Sequence, residues 1–544
     1  MKIYLIASGG SGAKVAEALI HLCGAGLGPD SLQILSVDTD DNNGNRSRLV
    51  STHTDYLGCR KYKWSQGGAP VSGVSVPFST DITLQKLSAL TPVSEWGLRD
   101  GNICPEEYGD VLDLFFTQDE QETKCERGYL ARPNLGSLIM GKHLSDQLDK
   151  ESANPSSFLS SLRNDLNAGT EIRLVVVGSV FGGTGASVLP VASDSILKAL
   201  LSRQNTAAVT AIQNSWNVIH KSAVMLMPYF FPTNPPQQEE ETVDPSRFHA
   251  DTSNSLSHYH SSGIAGEYNN LYLIGADGSG QQKLAFCDGS IGQRNAPSVV
   301  ELIAALGCLD TPTADTPIRI LNPAEHAEFI KLDNLPWPGG DRGATDFSLF
   351  LHMAAFTVRN RESSMDRGIL QFLNGKDYAK EIPFWPWAAE FLKDGNGKTI
   401  SRDPSLARRE LYSYFLRLLL WAFEISFSRD DLSLIEWSKS NDGLMYWDVL
   451  CAAKKSAGIP DMVEDSTLDN PHPLAITMAV ACASALRSTH KDRKLNGPKL
   501  LTSSLSKVSV SKDPILCKLP FGIDDFAAAE KSAGLKLSQE YAQN

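Results

Sequence analysis

Residues 174–187 read Leu174-Val175-Val176-Val177-Gly178-Ser179-Val180-Phe181-Gly182-Gly183-Thr184-Gly185-Ala186-Ser187, an apolar run followed by a glycine-rich one. The apolar part predicts a buried strand, and the residues from Val188 to Leu200 predict the helix that follows it. Glycine lets the backbone approach an anion closely, and the free N–H groups at a helix start favour negative charge. The segment therefore predicts a loop that binds the phosphates of a nucleotide.

A second segment of this kind opens the sequence. Lys2 to Ala7 predicts a strand, Ser8-Gly9-Gly10-Ser11-Gly12 a turn, and Ala13 to Leu22 a helix. Downstream, a strand over 32–37 leads into Asp38-Thr39-Asp40. Because the carboxyl ends of parallel strands share one edge, we expect both turns and these carboxylates around one polyphosphate with its Mg²⁺ ion.

The chain alternates strands and helices up to about residue 310, which predicts an α/β fold with a parallel sheet covered on both faces. The predicted strands lie near 2–7, 32–37, 172–178, 222–228 and 270–275. The predicted helices lie near 13–23, 137–149, 155–166, 187–202, 245–261 and 296–309. We expect a nucleotide-binding domain over 1–290 with an insertion at about 53–130, a central connecting helix in 291–310 and a mainly helical C-terminal domain over 311–544.

Composition excludes several classes of protein. The chain has 544 residues and a formal net charge of −13, which argues against general nucleic-acid binding because that needs a basic face. The longest apolar run, Leu411 to Phe427, contains Arg417 and Glu424, so we interpret it as a buried helix and expect no membrane span. The nine cysteines include no Cys-x-x-Cys pair, and the first residues resemble no secretory signal, so we expect a cytoplasmic protein.

The order of these parts resembles the tubulin and FtsZ superfamily of GTPases, and within it the divergent bacterial tubulin-like proteins. The signature loop of that superfamily is G-G-G-T-G-[ST]-G, and here Phe181-Gly182-Gly183-Thr184-Gly185-Ala186-Ser187 stands in its place, with Phe181 and Ser187 at the outer glycine positions. The resemblance covers roughly the first 310 residues. It implies a Rossmann-type nucleotide domain, a central helix and bound GTP with Mg²⁺.

The resemblance also implies which residues bind the nucleotide. Asp38 and Asp40 stand where the superfamily meets Mg²⁺, and Arg132 stands in the loop that senses the γ-phosphate. Asn295 stands where an asparagine reads guanine at the start of the central helix, which favours GTP over ATP. The implied nucleotide-binding set is Gly9, Gly10, Ser11, Gly12, Asp38, Asp40, Arg132, Gly182, Gly183, Thr184, Gly185, Asp277 and Asn295.

In this superfamily an acidic loop after the central helix completes the nucleotide site of the next subunit. Asp310 and Asp315 occupy that region here, although the N-x-D-F motif of FtsZ-like chains is absent. The resemblance therefore implies a GTPase with catalytic Asp310 and Asp315 that self-associates head to tail into filaments or oligomers. Its C-terminal domain is expected to bind partner proteins.

Two alternatives stay open at this point. One is a non-hydrolysing GTP-bound scaffold whose C-terminal domain and 53–130 insertion recruit partners. The other is an NAD(P)-dependent Rossmann oxidoreductase, since Gly10-x-Gly12 and Asp38 fit a dinucleotide fold. That alternative leaves the glycines at 182–185 without a role. A P-loop NTPase is disfavoured because neither glycine turn runs into Gly-Lys-Ser or Gly-Lys-Thr.

Overall fold

The structure is a computed structural model. It describes residues 1–40, 43–61, 77–87, 93–96, 107–122, 129, 133–202, 204–233, 248–261, 263–276, 282–285, 295–310, 320–321, 336–340, 343, 347, 350–351, 354 and 404–425.

The described residues form a seven-stranded sheet and a two-stranded one. The strands are β1 Lys2–Ser8, β2 Ser31–Val37, β3 Asp81–Leu87, β4 Ile172–Ser179, β5 His220–Leu226, β6 Phe230–Thr233, β7 Asn270–Ile274, β8 Gln282–Ala285 and β9 Ile320–Leu321. The larger sheet has the order β3-β2-β1-β4-β5-β7-β9, and β6 pairs with β8. Every pairing is parallel, which confirms the predicted α/β class.

Helices connect these strands. They are α1 Gly9–Gly24, α2 Gly44–Arg60, α3 Glu107–Phe115, α4 Gln118–Glu122, α5 Pro133–Glu151, α6 Phe158–Asn167, α7 Gly183–Val188, α8 Ala192–Leu201, α9 Thr206–Val218, α10 Phe248–Ser261, α11 Val299–Leu309 and α12 Pro404–Ile425. None of these described helices combines the length and the apolar character needed to cross a bilayer.

The central strands are apolar because helices cover both of their faces. Every residue of β2 and β4 is buried, and in β1 only Lys2 is not. A parallel sheet covered in this way predicts continuous apolar strands rather than alternating ones. The glycine-rich segments then leave this core at the carboxyl ends of β1 and β4.

The structure corrects several predicted boundaries. The helix expected over 187–202 is two helices, α7 and α8, which are separated at Pro190, a residue that has no N–H to donate. The helix expected over 13–23 already begins at Gly9. The segment 53–130 contributes β3, which pairs with β2 and extends the sheet. β3 and α2 had not been predicted.

Two compact units divide the chain. Unit 1 comprises 1–19, 29–51 and 81–330, and unit 2 comprises 20–28, 52–80 and 331–544. Among its described residues, unit 2 has an aromatic core in which the Tyr414 ring lies 5.0 Å from Phe78 and 6.3 Å from Phe350, measured between centroids. Arg417, within the apolar part of α12, forms an ion pair with Asp55 at 2.7 Å, which neutralises the Arg417 charge.

Candidate functional site

The two glycine-rich segments meet at one edge of the sheet. β1 and β4 are parallel neighbours, so both end at the carboxyl edge. The Ser8 hydroxyl donates a hydrogen bond to the Thr184 carbonyl oxygen at 3.1 Å. A methyl group on Gly9 would lie 3.3 Å from Thr184 Cβ and 3.5 Å from the Gly185 nitrogen. The structure therefore brings the two predicted phosphate loops into contact.

Close backbone packing requires the glycines of these segments. A Cβ on Gly12 would lie 2.8 Å from the Ala7 carbonyl carbon and 2.9 Å from the Val177 oxygen. A Cβ on Gly185 would lie 2.6 Å from the Ser179 nitrogen, and Gly9 adopts a φ of +67°. A side chain at Gly12 would push the ends of β1 and β4 apart, and one at Gly185 would push α7 away from the end of β4, because these contacts are with backbone atoms.

Helices begin within both segments. α1 starts at Gly9 and α7 at Gly183, and neither has an acidic residue in its first turn. Gly182 is the N-cap of α7 and provides no side-chain hydrogen bond. The first N–H groups of a helix need an acceptor, and the helix dipole favours an anion there. Two such helix starts in contact suit a polyphosphate.

Asp38 follows β2 at the same edge and is buried. Its Oδ1 accepts a hydrogen bond from the Asp40 nitrogen at 3.2 Å, whereas its Oδ2 has no partner among the described residues. Burial raises the pKa of the Asp38 carboxyl to about 7, although backbone N–H groups and Arg46 oppose this rise. A cation would supply the partner that Oδ2 lacks. Asp38 therefore fits the predicted Mg²⁺ ligand.

The described residues contain no group of three or more His, Cys, Asp or Glu side chains that could hold a metal ion. Mg²⁺ commonly binds one or two carboxylates together with phosphate oxygens and water. Asp38 and Asp40 are the described carboxylates that the sequence assigned to this ion, and both are buried.

Sequence reasoning missed Arg46, a buried residue of α2 that holds this edge together. Its guanidinium donates to the carbonyl oxygens of Leu87 at 3.0 Å, Asp38 at 3.4 Å and Ser36 at 3.4 Å. These carbonyls end β2 and β3, so Arg46 fixes the segment that carries Asp38. Its role depends on β3, which had not been predicted.

Asn45, also missed, links Asn295 to the first glycine segment. Its Oδ1 accepts a hydrogen bond from the Asn295 nitrogen at 2.8 Å. A Cβ on Gly10 would lie 3.0 Å from Asn45 Nδ2 and 3.4 Å from Asn43 Nδ2. The predicted guanine-reading residue is therefore brought to the edge that carries the glycine segments.

A buried polar network joins α1 to the start of α11. Lys14 forms an ion pair with Glu301, whose side chain also completes the capping box of α11 with Ser298. The Tyr229 hydroxyl donates to Glu301 Oε1 at 2.6 Å and lies 3.3 Å from Ser11 Oγ. Burial, followed by the Glu301 charge, raises the pKa of Tyr229 well above its ordinary value. The network connects Ser11 of the first glycine segment to the central helix.

Phe181, which replaces the first glycine of the signature loop, packs in an aromatic cluster. Its ring centroid lies 5.0 Å from that of Phe248, 5.4 Å from that of Phe230 and 6.2 Å from that of Tyr229. The Phe181 side chain is therefore part of the protein interior beside the second glycine segment.

Asp310 lies away from this edge. It is the C-cap of α11, nine residues after Glu301, which places it about 14 Å along the helix from the Glu301 network. Its Oδ2 accepts a hydrogen bond from the Tyr272 hydroxyl at 3.0 Å, and its charge acts on Arg173 at the amino end of β4. The structure does not bring Asp310 together with the glycine segments of its own chain. The other predicted residues Arg132, Asp277 and Asp315 lie outside the described residues.

The comparisons with known proteins are sparse. No protein-family model matches the chain, and no curated protein does. Among solved structures, CetZ2 from Haloferax volcanii, a GTPgS-bound protofilament, matches with 16% sequence identity and a TM-score of 0.24. The match covers 57% of this chain and 59% of that one. A likeness at this TM-score gives no evidence about function.

Proposed function

We propose that this chain is a GTP- and Mg²⁺-binding protein of the tubulin and FtsZ type, a GTPase that self-associates head to tail. The observation that carries the proposal is the contact between the two glycine segments at the carboxyl edge, where Ser8 Oγ donates to the Thr184 carbonyl oxygen. A triphosphate between the two helix starts accepts main-chain N–H groups from both sides.

Binding of Mg²⁺ is supported by Asp38. This buried carboxylate has one oxygen without a partner among the described residues, and it stands at the edge that carries the glycine segments. A magnesium ion there neutralises phosphate charge and stabilises the ionised form of Asp38.

Preference for guanine is supported by Asn295. An asparagine amide can accept from guanine N1–H and donate to O6, a pairing that adenine does not offer. The hydrogen bond from the Asn295 nitrogen to Asn45 fixes the backbone of this residue at the edge of the site.

Head-to-tail association is supported by the position of Asp310. The glycine segments lie at the carboxyl edge of the sheet, and Asp310 lies at the far end of α11. An acidic group at that end completes a nucleotide site only in another copy of the chain. Such a contact joins two different surfaces, so it can repeat into a filament.

The oxidoreductase alternative is weakened by the same contact. A dinucleotide fold uses one glycine-rich turn after its first strand, and here a second glycine segment packs against the first. The non-hydrolysing scaffold shares the same nucleotide site and differs only in turnover.

Three measurements test the proposal. Mass spectrometry of the nucleotide that co-purifies with the full chain should identify GTP or GDP, and titration should give tighter binding of labelled GTP than of ATP or NADH. Sedimentation with GTP, GDP and no nucleotide should show assembly that depends on GTP. Tighter binding of NADH than of GTP would overturn the proposal, and GTP binding without phosphate release would favour the scaffold.

A further inference from the structure

Arg173 is a buried cation at the amino end of β4, and the residue is only 5% exposed. Its Nε, Nη1 and Nη2 atoms all lack a hydrogen-bond partner among the described residues. The charges of Asp310 and Glu171 act on this guanidinium, but burial outweighs them and lowers its pKa. Burying N–H donors that make no hydrogen bond is costly, so a folded chain rarely retains them without a ligand.

The polar groups around Arg173 are engaged with one another. The Asn270 amide donates to His220 Nε2 at 2.7 Å, so the proton of the neutral imidazole is on Nδ1, which faces Ser222 Oγ at 3.4 Å. The Tyr272 hydroxyl donates to Asp310 at 3.0 Å. The guanidinium is therefore the unmatched member of this cluster.

The chemistry of guanidinium restricts what can match it. The group stays charged, has only donors and presents them in a planar fork. An anion with two acceptor oxygens, as in a phosphoryl or carboxylate group, matches this fork best, because each arm then has its own acceptor, whereas a halide offers one atom to both.

We propose that Arg173 is the centre of a second anion site, at the amino edge of the sheet, and that its ligand is a phosphoryl group. The choice of phosphate rests on the proposed function, because Asp310, which stands beside Arg173, is the residue that would face the nucleotide of the next copy. Two sources share this chemistry: free phosphate, and the terminal phosphate of the neighbour's nucleotide.

The first experiment follows thermal unfolding of the full chain against inorganic phosphate, with chloride holding the ionic strength constant. In phosphate-free buffer, Arg173→Met should unfold at the same or a higher temperature than the wild type, because it removes a buried group whose N–H donors bond to no described residue. Arg173→Met should need about ten times more phosphate than the wild type for the same rise in unfolding temperature, because it loses a charged hydrogen bond to the anion. Arg173→Lys should weaken the response too, because lysine lacks the fork.

Arg163 provides the matched control. Its Nη2 donates to the carbonyl oxygens of Ala199 at 3.2 Å and Leu200 at 3.4 Å, so its guanidinium is used within the fold. Arg163→Met should lower the unfolding temperature and keep the wild-type response to phosphate. The glycine segments are intact in all three variants, so the difference between Arg173→Met and wild type reports Arg173 alone.

A second arm distinguishes the two sources. A phosphate response in dilute, monomeric wild type that is weaker in Arg173→Met identifies free phosphate. Loss of GTP-dependent assembly in Arg173→Met at unchanged GTP affinity identifies the neighbour's nucleotide. The inference is overturned if Arg173→Met and Arg173→Lys match the wild type in both arms, or if chloride stabilises as well as phosphate. Failure of the proposed function would appear separately, as absence of GTP binding by the wild type.

Discussion

The Ser8 hydroxyl donates a hydrogen bond to the Thr184 carbonyl oxygen over 3.1 Å, although 176 positions of sequence separate the two residues. This bond joins the carboxyl ends of two adjacent strands just where a helix begins after each. It holds the two glycine segments in contact, so a change in one of them is expected to move the other.

Gly9→Ala should therefore abolish nucleotide binding. Gly9 combines a φ of +67° with a close approach to Thr184, whereas Gly169 has a φ of +64° and no atom within 4 Å of its missing Cβ. Both alanine variants should lose about 1 kcal/mol of stability from backbone strain. Titration with labelled GTP should show a loss only in Gly9→Ala. Equal GTP affinity in Gly9→Ala and Gly169→Ala would contradict a shared phosphate site.

Asp38→Asn should remove the magnesium dependence of nucleotide binding. The substitution keeps the shape of the side chain and removes the charge of a buried carboxylate whose Oδ2 has no described partner. In the presence of Mg²⁺, GTP affinity should fall about tenfold or more. With EDTA, the variant and the wild type should bind GTP about equally. A variant that keeps the full magnesium effect would show that Asp38 does not hold the ion.

Glu301→Gln should destabilise the protein by about 3 kcal/mol or more, because it leaves the buried Lys14 charge without its partner. Urea unfolding of Glu301→Gln, of Lys14→Met and of the double variant Lys14→Met/Glu301→Gln measures the coupling free energy between the two residues. The double variant should recover much of the loss, since it buries no unpaired charge. Additive losses in the double variant would mean that the ion pair contributes little.

Asp310→Asn should leave GTP binding by monomers unchanged and slow phosphate release from assembled protein. The reason is its place at the end of α11, away from the glycine segments of its own chain. Steady-state phosphate release, followed as a function of protein concentration, measures the turnover that depends on assembly. Asp315→Asn tests the other predicted carboxylate in the same assay. Full turnover in both variants would place the hydrolytic group elsewhere.

Acid should destabilise the protein through His220. Burial, and then the Arg173 charge, lower the pKa of this imidazole from its ordinary value of 6.5. The folded state therefore disfavours the protonated ring, so the stability that His220 contributes is present above about pH 6.5 and is lost as the pH falls below it. His220→Gln should show a smaller decrease in unfolding temperature between about pH 7 and pH 5 than the wild type. An identical decrease would assign the acid sensitivity to other groups.

Sequence patterns located five strands of the sheet within a few residues, because buried parallel strands are short apolar runs. β3, Asp81–Leu87, was not predicted because it lies in a segment rich in turn formers. Its alternation of polar and apolar residues is that of a half-buried edge strand. Pro190 indicated a break between α7 and α8, but the apolar periodicity on both sides of it favoured one continuous helix.

Local sequence patterns were enough to specify the glycine-rich segments after β1 and β4, the carboxylates after β2 and the parallel sheet, because each depends on residues close together in sequence. The long-range register of the sheet alone placed Ser8 against Thr184, set the Arg46 guanidinium on the ends of two strands and left Arg173 unmatched among paired neighbours. Those relationships join groups far apart along the chain, so they form only when packing of the core fixes the strand order.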